Sequence, residues 1–201
     1  MLEAGFAVNI NMRIIGIDPG TLITGIGIIE CLTGRNGKDV TLIHYGSINL
    51  KPAEPLPNRL KKIYDNCLQC IDEFKPDEFA IETAFYSKNV QSTLKLGQAR
   101  GVAIIAAVNH SLTISEYSPR EIKKSVTGKG SASKEHVRTI IKNILEFKED
   151  PEFMDSSDAL AVAVCHYFNI TSKITTNGKG KKKYDWKKYI EENPEKIISS
   201  R

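Results

Sequence analysis

The sequence predicts an α/β domain, a five-stranded mixed sheet flanked by helices. Two observations carry this. Three apolar, isoleucine-rich stretches follow one another near the N terminus with short connections, and beyond Pro55 helical and strand-like patterns alternate as far as Phe168. A chain of 201 residues, 41% hydrophobic and 26% charged, is long enough to bury one sizeable core and has the composition of a globular protein.

Met12 to Asp18 is the first strand. Ile14, Ile15 and Ile17 form the apolar run of a strand buried on both faces, and Pro19-Gly20 ends it by forcing a turn. Thr24 to Glu30 is the second strand, joined so tightly to the first that the pair reads as an antiparallel hairpin. Gly34 to Asp39 is a turn. Val40 to Leu50 is a third strand, with Ile43, Tyr45 and Ser47 alternating against Leu42, His44 and Gly46. Pro52 and Pro55 break the chain, after which Leu60, Ile63, Tyr64, Cys67, Ile71 and Phe74 recur at helical spacing until Pro76. Glu78 to Glu82 is a short fourth strand, and the intervening helix fits a parallel crossover.

Ser87 and Asn89 are candidate caps for a long helix from Val90 to Asn109. Its Gly97, Ala99, Gly101, Ala103, Ala106 and Ala107 let another backbone come close, either the sheet or a second copy of the chain. Leu112 to Tyr117 is the fifth strand. Ser118-Pro119 starts a short helix carrying Arg120, Lys123 and Lys124. A polar loop covers Thr127 to Ser133, a helix Lys134 to Leu145, a connection Lys148 to Met154, and a final apolar helix Asp155 to Phe168.

This pattern divides the chain into an N-terminal extension (1–11) expected to be disordered, a folded domain (12–172) and a basic polar tail (173–201) with a weak helical pattern around Trp186 to Glu192. Met1 to Asn11 lacks Lys and Arg and does not read as a secretory signal, and Met12 is an alternative start. No apolar run approaches a membrane span. Net charge is +4, with basic residues clustered at Arg120 to Lys134 and at Lys179 to Lys188, which suits a polyanionic partner. Cys31, Cys67, Cys70 and Cys165 form no zinc-like set of pairs and read as ordinary thiols, so a reducing cytoplasm is expected.

Chemistry concentrates in four carboxylates. Asp18 and Glu82 each end a buried strand, and if those strands are parallel neighbours both emerge at one edge of the sheet, where ligands bind in α/β folds. Asp155 and Asp158 open the last helix three residues apart, so they share a face. Each has a plainer reading: Asp18 as a cap of the Pro-Gly turn, Asp155 as a helix N-cap worth about 1 kcal/mol, Glu82 as a solvated strand end. Carboxylates that converge repel unless cations neutralise them, and oxygen-only ligands select hard ions. The expected cofactor is Mg2+, with Mn2+ able to substitute, as two ions about 4 Å apart that activate water and stabilise the leaving oxygen of a phosphodiester.

These residues carry a family resemblance. Gly16-Ile-Asp-Pro-Gly20 with Thr24-Gly-Ile-Gly27, Ala80-Ile-Glu-Thr-Ala-Phe85, Lys95-Leu-Gly-Gln-Ala-Arg-Gly-Val102 and Asp155-Ser-Ser-Asp-Ala-Leu-Ala161 together resemble the RuvC family, bacterial crossover junction endodeoxyribonucleases that resolve Holliday junctions. The resemblance runs from Met12 to Phe168 in motif order. It implies a ribonuclease H-like fold and a homodimer that nicks two strands of like polarity in a four-way DNA junction, in recombination and repair. It also implies RuvA and RuvB as branch-migration partners. The family's acidic metal ligands fall on Asp18, Glu82 and Asp158, with Asp155 at a less uniform fourth position; its catalytic basic residues fall on Lys123 and Lys134, and a base-contacting aromatic on Phe85. Lysines bind phosphate oxygens, and an aromatic stacks on an unpaired base; solvated charge and a core ring are the plainer readings. Arg100 reads as structural, and both chain ends lie outside the resemblance.

Three other readings compete: a ribonuclease H-like nuclease acting on RNA, a non-catalytic junction-binding module, and half of an actin-like ATPase, in which Asp-x-Gly followed by Thr and Gly would hold phosphate. The full acidic set argues against the first two and the length against the third.

Overall fold

A computed structural model describes residues 10–33, 40–83, 89–146 and 151–177. In it three hydrophobic strands, β1 (Ile10–Asp18), β2 (Ile23–Thr33) and β3 (Val40–Asn49), form an antiparallel meander. Helix α1 (Leu56–Phe74) crosses to β4 (Glu78–Glu82), and α2 (Val90–Asn109) leads to β5 (Thr113–Tyr117). The sheet order is β3-β2-β1-β4-β5, with β4 parallel to β1 and β5 parallel to β4. The helices α3 (Pro119–Thr127), α4 (Lys134–Leu145) and α5 (Pro151–Asn177) follow.

Two cores sandwich the sheet. Ile14, Ile29, Cys31 and Ala80 pack with α3, α4 and α5 on one face, while Ile15, Ile17, Ile28, Phe79 and Ile81 pack with α1 and α2 on the other. The strand-by-strand alternation explains why β1 and β4 read as continuous apolar runs: both faces are covered. The caps expected at Asn89 and Ser118 are made. Asn89 accepts from the backbone N–H of Gln91 and Ser92, and Ser118 with Glu121 closes a reciprocal capping box ahead of Pro119.

Three elements, β1, β3 and α5, differ from the sequence expectation. β1 begins at Ile10, two residues into the supposed extension, because β2 runs on to Thr33 and supplies ladder partners for Ile10 and Asn11. The simple alternation in β3 fails at Ile43. The register slips by one there, so Leu42 and Tyr45 join one core while Ile43 joins the other. His44 stacks on Phe74 at 4.7 Å. Finally, α5 starts at Pro151 rather than Asp155 and extends to Asn177. Proline is preset for a first helical turn, so Pro151 to Met154, read as the end of a connection, is already helix.

Candidate active site

A pair of glycines decides where α5 lies. Gly16 of β1 and Gly27 of β2 are ladder partners in the centre of the sheet. A Cβ on Gly16 would stand 2.3 Å from the Ala159 carbonyl oxygen, and one on Gly27 would stand 2.7 Å from Leu160. The missing side chains form a notch that seats the α5 backbone against the strands, with Ala159 and Ala163 resting on Gly16. Asp158, immediately before Ala159, is thereby carried to the sheet edge where β1 and β4 end.

Ile14, Gly16 and Asp18 share the face that α5 covers, as do Glu78, Ala80 and Glu82 on β4. The last paired residues of the two strands are Ile17 and Ile81, so Asp18 and Glu82 emerge side by side one step further on. The turn behind Asp18 is fixed from within. Thr24 is fully buried; its hydroxyl donates to the Gly20 carbonyl at 3.1 Å and accepts from the Gly20 N–H at 3.2 Å. Arg59 of α1 donates to the Thr21 carbonyl at 2.9 Å. The Thr24 hydroxyl is consequently taken up by the turn and serves its structure.

Asp18, Glu82 and Asp158 line one open cleft of about 270 Å3 together with Lys123 of α3 and Lys134 of α4. Pro119, Ile122, Val137 and Ala161 form its apolar walls. Burial, then the neighbouring Asp158, pushes the Asp18 carboxyl up to about 6, against the pull of Lys134. Glu82 is pushed up to about 8 by burial and by Asp18 and Asp158, with Lys134 and Lys123 opposing. Lys134 donates to Asp158 Oδ2 at 2.6 Å, and that bond holds its ammonium above the ordinary lysine range. Lys134 is also the first residue of α4, where the positive end of the helix dipole disfavours a cation by about 0.3–1 kcal/mol. The carboxylates beside it offset that cost.

Among the described residues, no three acidic, histidine or cysteine side chains stand close enough together to hold a cation as they are. Carboxylates with no ion between them repel, and here the Lys134 ammonium supplies counter-charge. The donor chemistry of the cleft fits a hard divalent ion: three carboxylates, with no imidazole or thiol lining it.

The structure therefore brings together Asp18, Glu82, Asp158, Lys123 and Lys134. The backbone of Asp155 lies four residues inside α5, which removes the N-cap reading; its side chain is outside the described residues. Phe85 and Ser87 are outside them too. Arg100 pairs with Glu116 and ties α2 to β5, as a structural residue does. Sequence reasoning missed the notch glycines, Arg59 and His166. The signals were faint: Gly16 and Gly27 look like turn-flanking glycines, and His166 is a polar residue in an otherwise apolar helix run.

The family model described as "Crossover junction endodeoxyribonuclease RuvC" matches residues 14–166. The protein of that name from Cytophaga hutchinsonii is 46% identical over 188 residues, covering 94% of this chain and 89% of the relative. That of Chloroherpeton thalassium is 41% identical, covering 93% of this chain and 100% of the relative. Among solved structures, RuvC of Thermus thermophilus in complex with a Holliday junction substrate superposes with a TM-score of 0.73 at 30% identity, over 81% of this chain and 96% of that one. The mixed five-stranded sheet between helical layers is accordingly the ribonuclease H-like fold. Similarity on this scale, in sequence and in fold, has one reading: the chain belongs to the RuvC family of crossover junction endodeoxyribonucleases.

Proposed function

We propose that this protein is a structure-selective endonuclease that resolves Holliday junctions by symmetric, metal-dependent hydrolysis of phosphodiester bonds. The observation that supports it most is the meeting of carboxylates from β1, β4 and α5 with lysines from α3 and α4 in one cleft. Asp18, Glu82 and Asp158 would hold Mg2+, or Mn2+ in its place, with Asp155 as a fourth candidate. When bound, the ions supply an activated water and charge stabilisation at the leaving oxygen. The carboxylates hold the site's negative charge at the end of two rigid strands and one helix. Lys123 and Lys134 attract the phosphodiester and favour the anionic transition state. With a cation held by the carboxylates, Asp158 would not need Lys134 as counter-charge, and the ammonium would be free to meet a phosphate oxygen. Phe85 is proposed to stack on a base near the crossover.

Symmetric nicking calls for two sites, and α2 supports a homodimer. Val90, Leu94, Ile105 and Val108 are 51–69% exposed along one side of it. Gly97 and Gly101 lie in the same stripe, and a Cβ added to either would meet nothing within 4 Å. Such a contiguous apolar face is what an association surface requires. Its setting is the cytoplasm and its partners are RuvA and RuvB by resemblance; the nuclease domain runs from β1 to the end of α5, Ile10 to Asn177, and a basic sequence follows it.

The test is cleavage of a synthetic four-way junction with Mg2+, beside a linear duplex and an RNA–DNA hybrid. Paired nicks in the junction alone are expected. Cleavage of the hybrid or of RNA would transfer the site to a ribonuclease reading, and tight binding with no cleavage would make the chain a junction-binding module.

A further inference from the structure

Tyr117, His166 and Glu78 form a polar chain on the α5 side of the sheet, outside the cleft. The Tyr117 hydroxyl lies 2.7 Å from His166 Nδ1, and His166 Nε2 stands 3.6 Å from Glu78 Oε2, within ion-pair range but longer than a hydrogen bond. His166 is 3% exposed, at the end of the wholly buried run Ala159 to Cys165. Packing alone would be served there by an apolar residue, because a polar side chain in a core costs free energy unless it is bonded. A Nδ1 that accepts the tyrosine O–H leaves Nε2–H directed at Glu78.

Each member connects to a cleft carboxylate. Tyr117 is the ladder partner of Glu82, and its carbonyl accepts from the Thr83 N–H at 2.8 Å. Glu78 begins the strand that Glu82 ends. His166 shares α5 with Asp158. The notch seats α5 over β1 and β2, on one side of the cleft. The Tyr117–His166 hydrogen bond adds a directional tie to β5, the strand beside β4, which carries Glu82.

We propose that the Tyr117–His166 bond is a positioning strut. It sets the separation of Glu82 from Asp158 by tying the β5 neighbour of one to the helix that carries the other. The inference rests on the cleft being the hydrolytic site. His166 is thus a positioning residue, with no contact to substrate.

The experiment compares wild type with Tyr117→Phe, His166→Asn and His166→Gln. Asparagine keeps a polar atom near the place of Nδ1, and glutamine keeps one near that of Nε2. Single-turnover junction cleavage, junction affinity, Mn2+ affinity by calorimetry and Tm are measured together. Tyr117→Phe and His166→Gln should lose about tenfold in cleavage rate and in Mn2+ affinity. Junction affinity should hold, His166→Asn should keep most of the wild-type rate, and the double variant should be no slower than either single one. Val164→Ala, a core truncation on the same helix, should lower Tm and leave the rate unchanged below its melting temperature. A Tyr117→Phe protein with wild-type rate and Mn2+ affinity overturns the strut. So does a His166→Asn protein as slow as His166→Gln, with all losses following Tm. If wild type itself fails to cleave junctions, the hydrolytic reading falls, and the strut stands or falls on whether Tyr117→Phe weakens Mn2+ binding. Absence of Mn2+ binding in wild type overturns both.

Discussion

Helices α5 and α2 lie on opposite faces of the sheet, and both depend on small residues, but they use them in opposite ways. Under α5 the glycines belong to the sheet. Gly16 and Gly27 leave a notch that the helix backbone fills, and the result is a fixed position for Asp158. On α2 the alanines face inward, with Ala99, Ala103, Ala106 and Ala107 buried in the core shared with α1 and the sheet, while Gly97 and Gly101 look outward among exposed apolar side chains. The same composition thus serves internal closeness in one helix and an unfilled outer face in the other. Glycine in a helix interior costs about 0.5–1 kcal/mol relative to alanine. A helix that carries two in open space is giving up stability for something outside the monomer.

The largest effect expected is at the cleft that α5 completes. Asp18→Asn should abolish cleavage of a four-way junction while leaving junction binding largely intact, read by gel assays of cleavage and of binding in Ca2+. Retained cleavage would detach the α5 notch from catalysis altogether. Next comes the notch itself. Gly16→Val would drive methyl groups into the Ala159 carbonyl, so unfolding in denaturant should show a loss of about 1–3 kcal/mol or more, with cleavage lost at temperatures where the protein is still folded. The same kind of change on α2 should act differently. Gly101→Leu should leave the unfolding midpoint unchanged or raised, yet shift the sedimentation profile towards monomer. A Gly101→Leu variant that unfolds like Gly16→Val would erase the contrast between the two helices.

The smallest effect is in pH. Asp18 and Glu82 are raised to about 6 and about 8 in the fold, so between about pH 4 and 8 the folded protein binds protons that the unfolded chain has released. Their contribution to stability is greatest at the acid end of that window and is lost as pH rises through it. In EDTA, the Tm should fall by more between pH 5 and 8 for wild type than for Glu82→Gln, and Mg2+ should narrow the difference. Equal slopes in both proteins would mean that the carboxylates are not forced together.

Much of this was legible in the sequence for a physical reason. Strands buried on both faces leave unbroken apolar runs, and a carboxylate that ends such a run stands out, so Asp18 and Glu82 could be found and their strands paired. Asp158 could be found from the apolar run that it precedes. The glycine notch could not, because its meaning depends on a helix more than a hundred residues away that meets it only in the fold. The slip at Ile43 was hidden too: an extra residue in β3 leaves the local pattern intact and shows only in which core each side chain joins. Tyr117 and His166 are far apart in sequence, and neither looks unusual until the helix lies on the strand.

The most direct test of the account is a crystal structure grown with Mn2+, read by anomalous scattering. Manganese is expected in the cleft, bound by oxygens of Asp18, Glu82 and Asp158, with Lys134 released from Asp158. Manganese absent from the cleft at saturating concentration, with the Lys134–Asp158 pair intact, would contradict it.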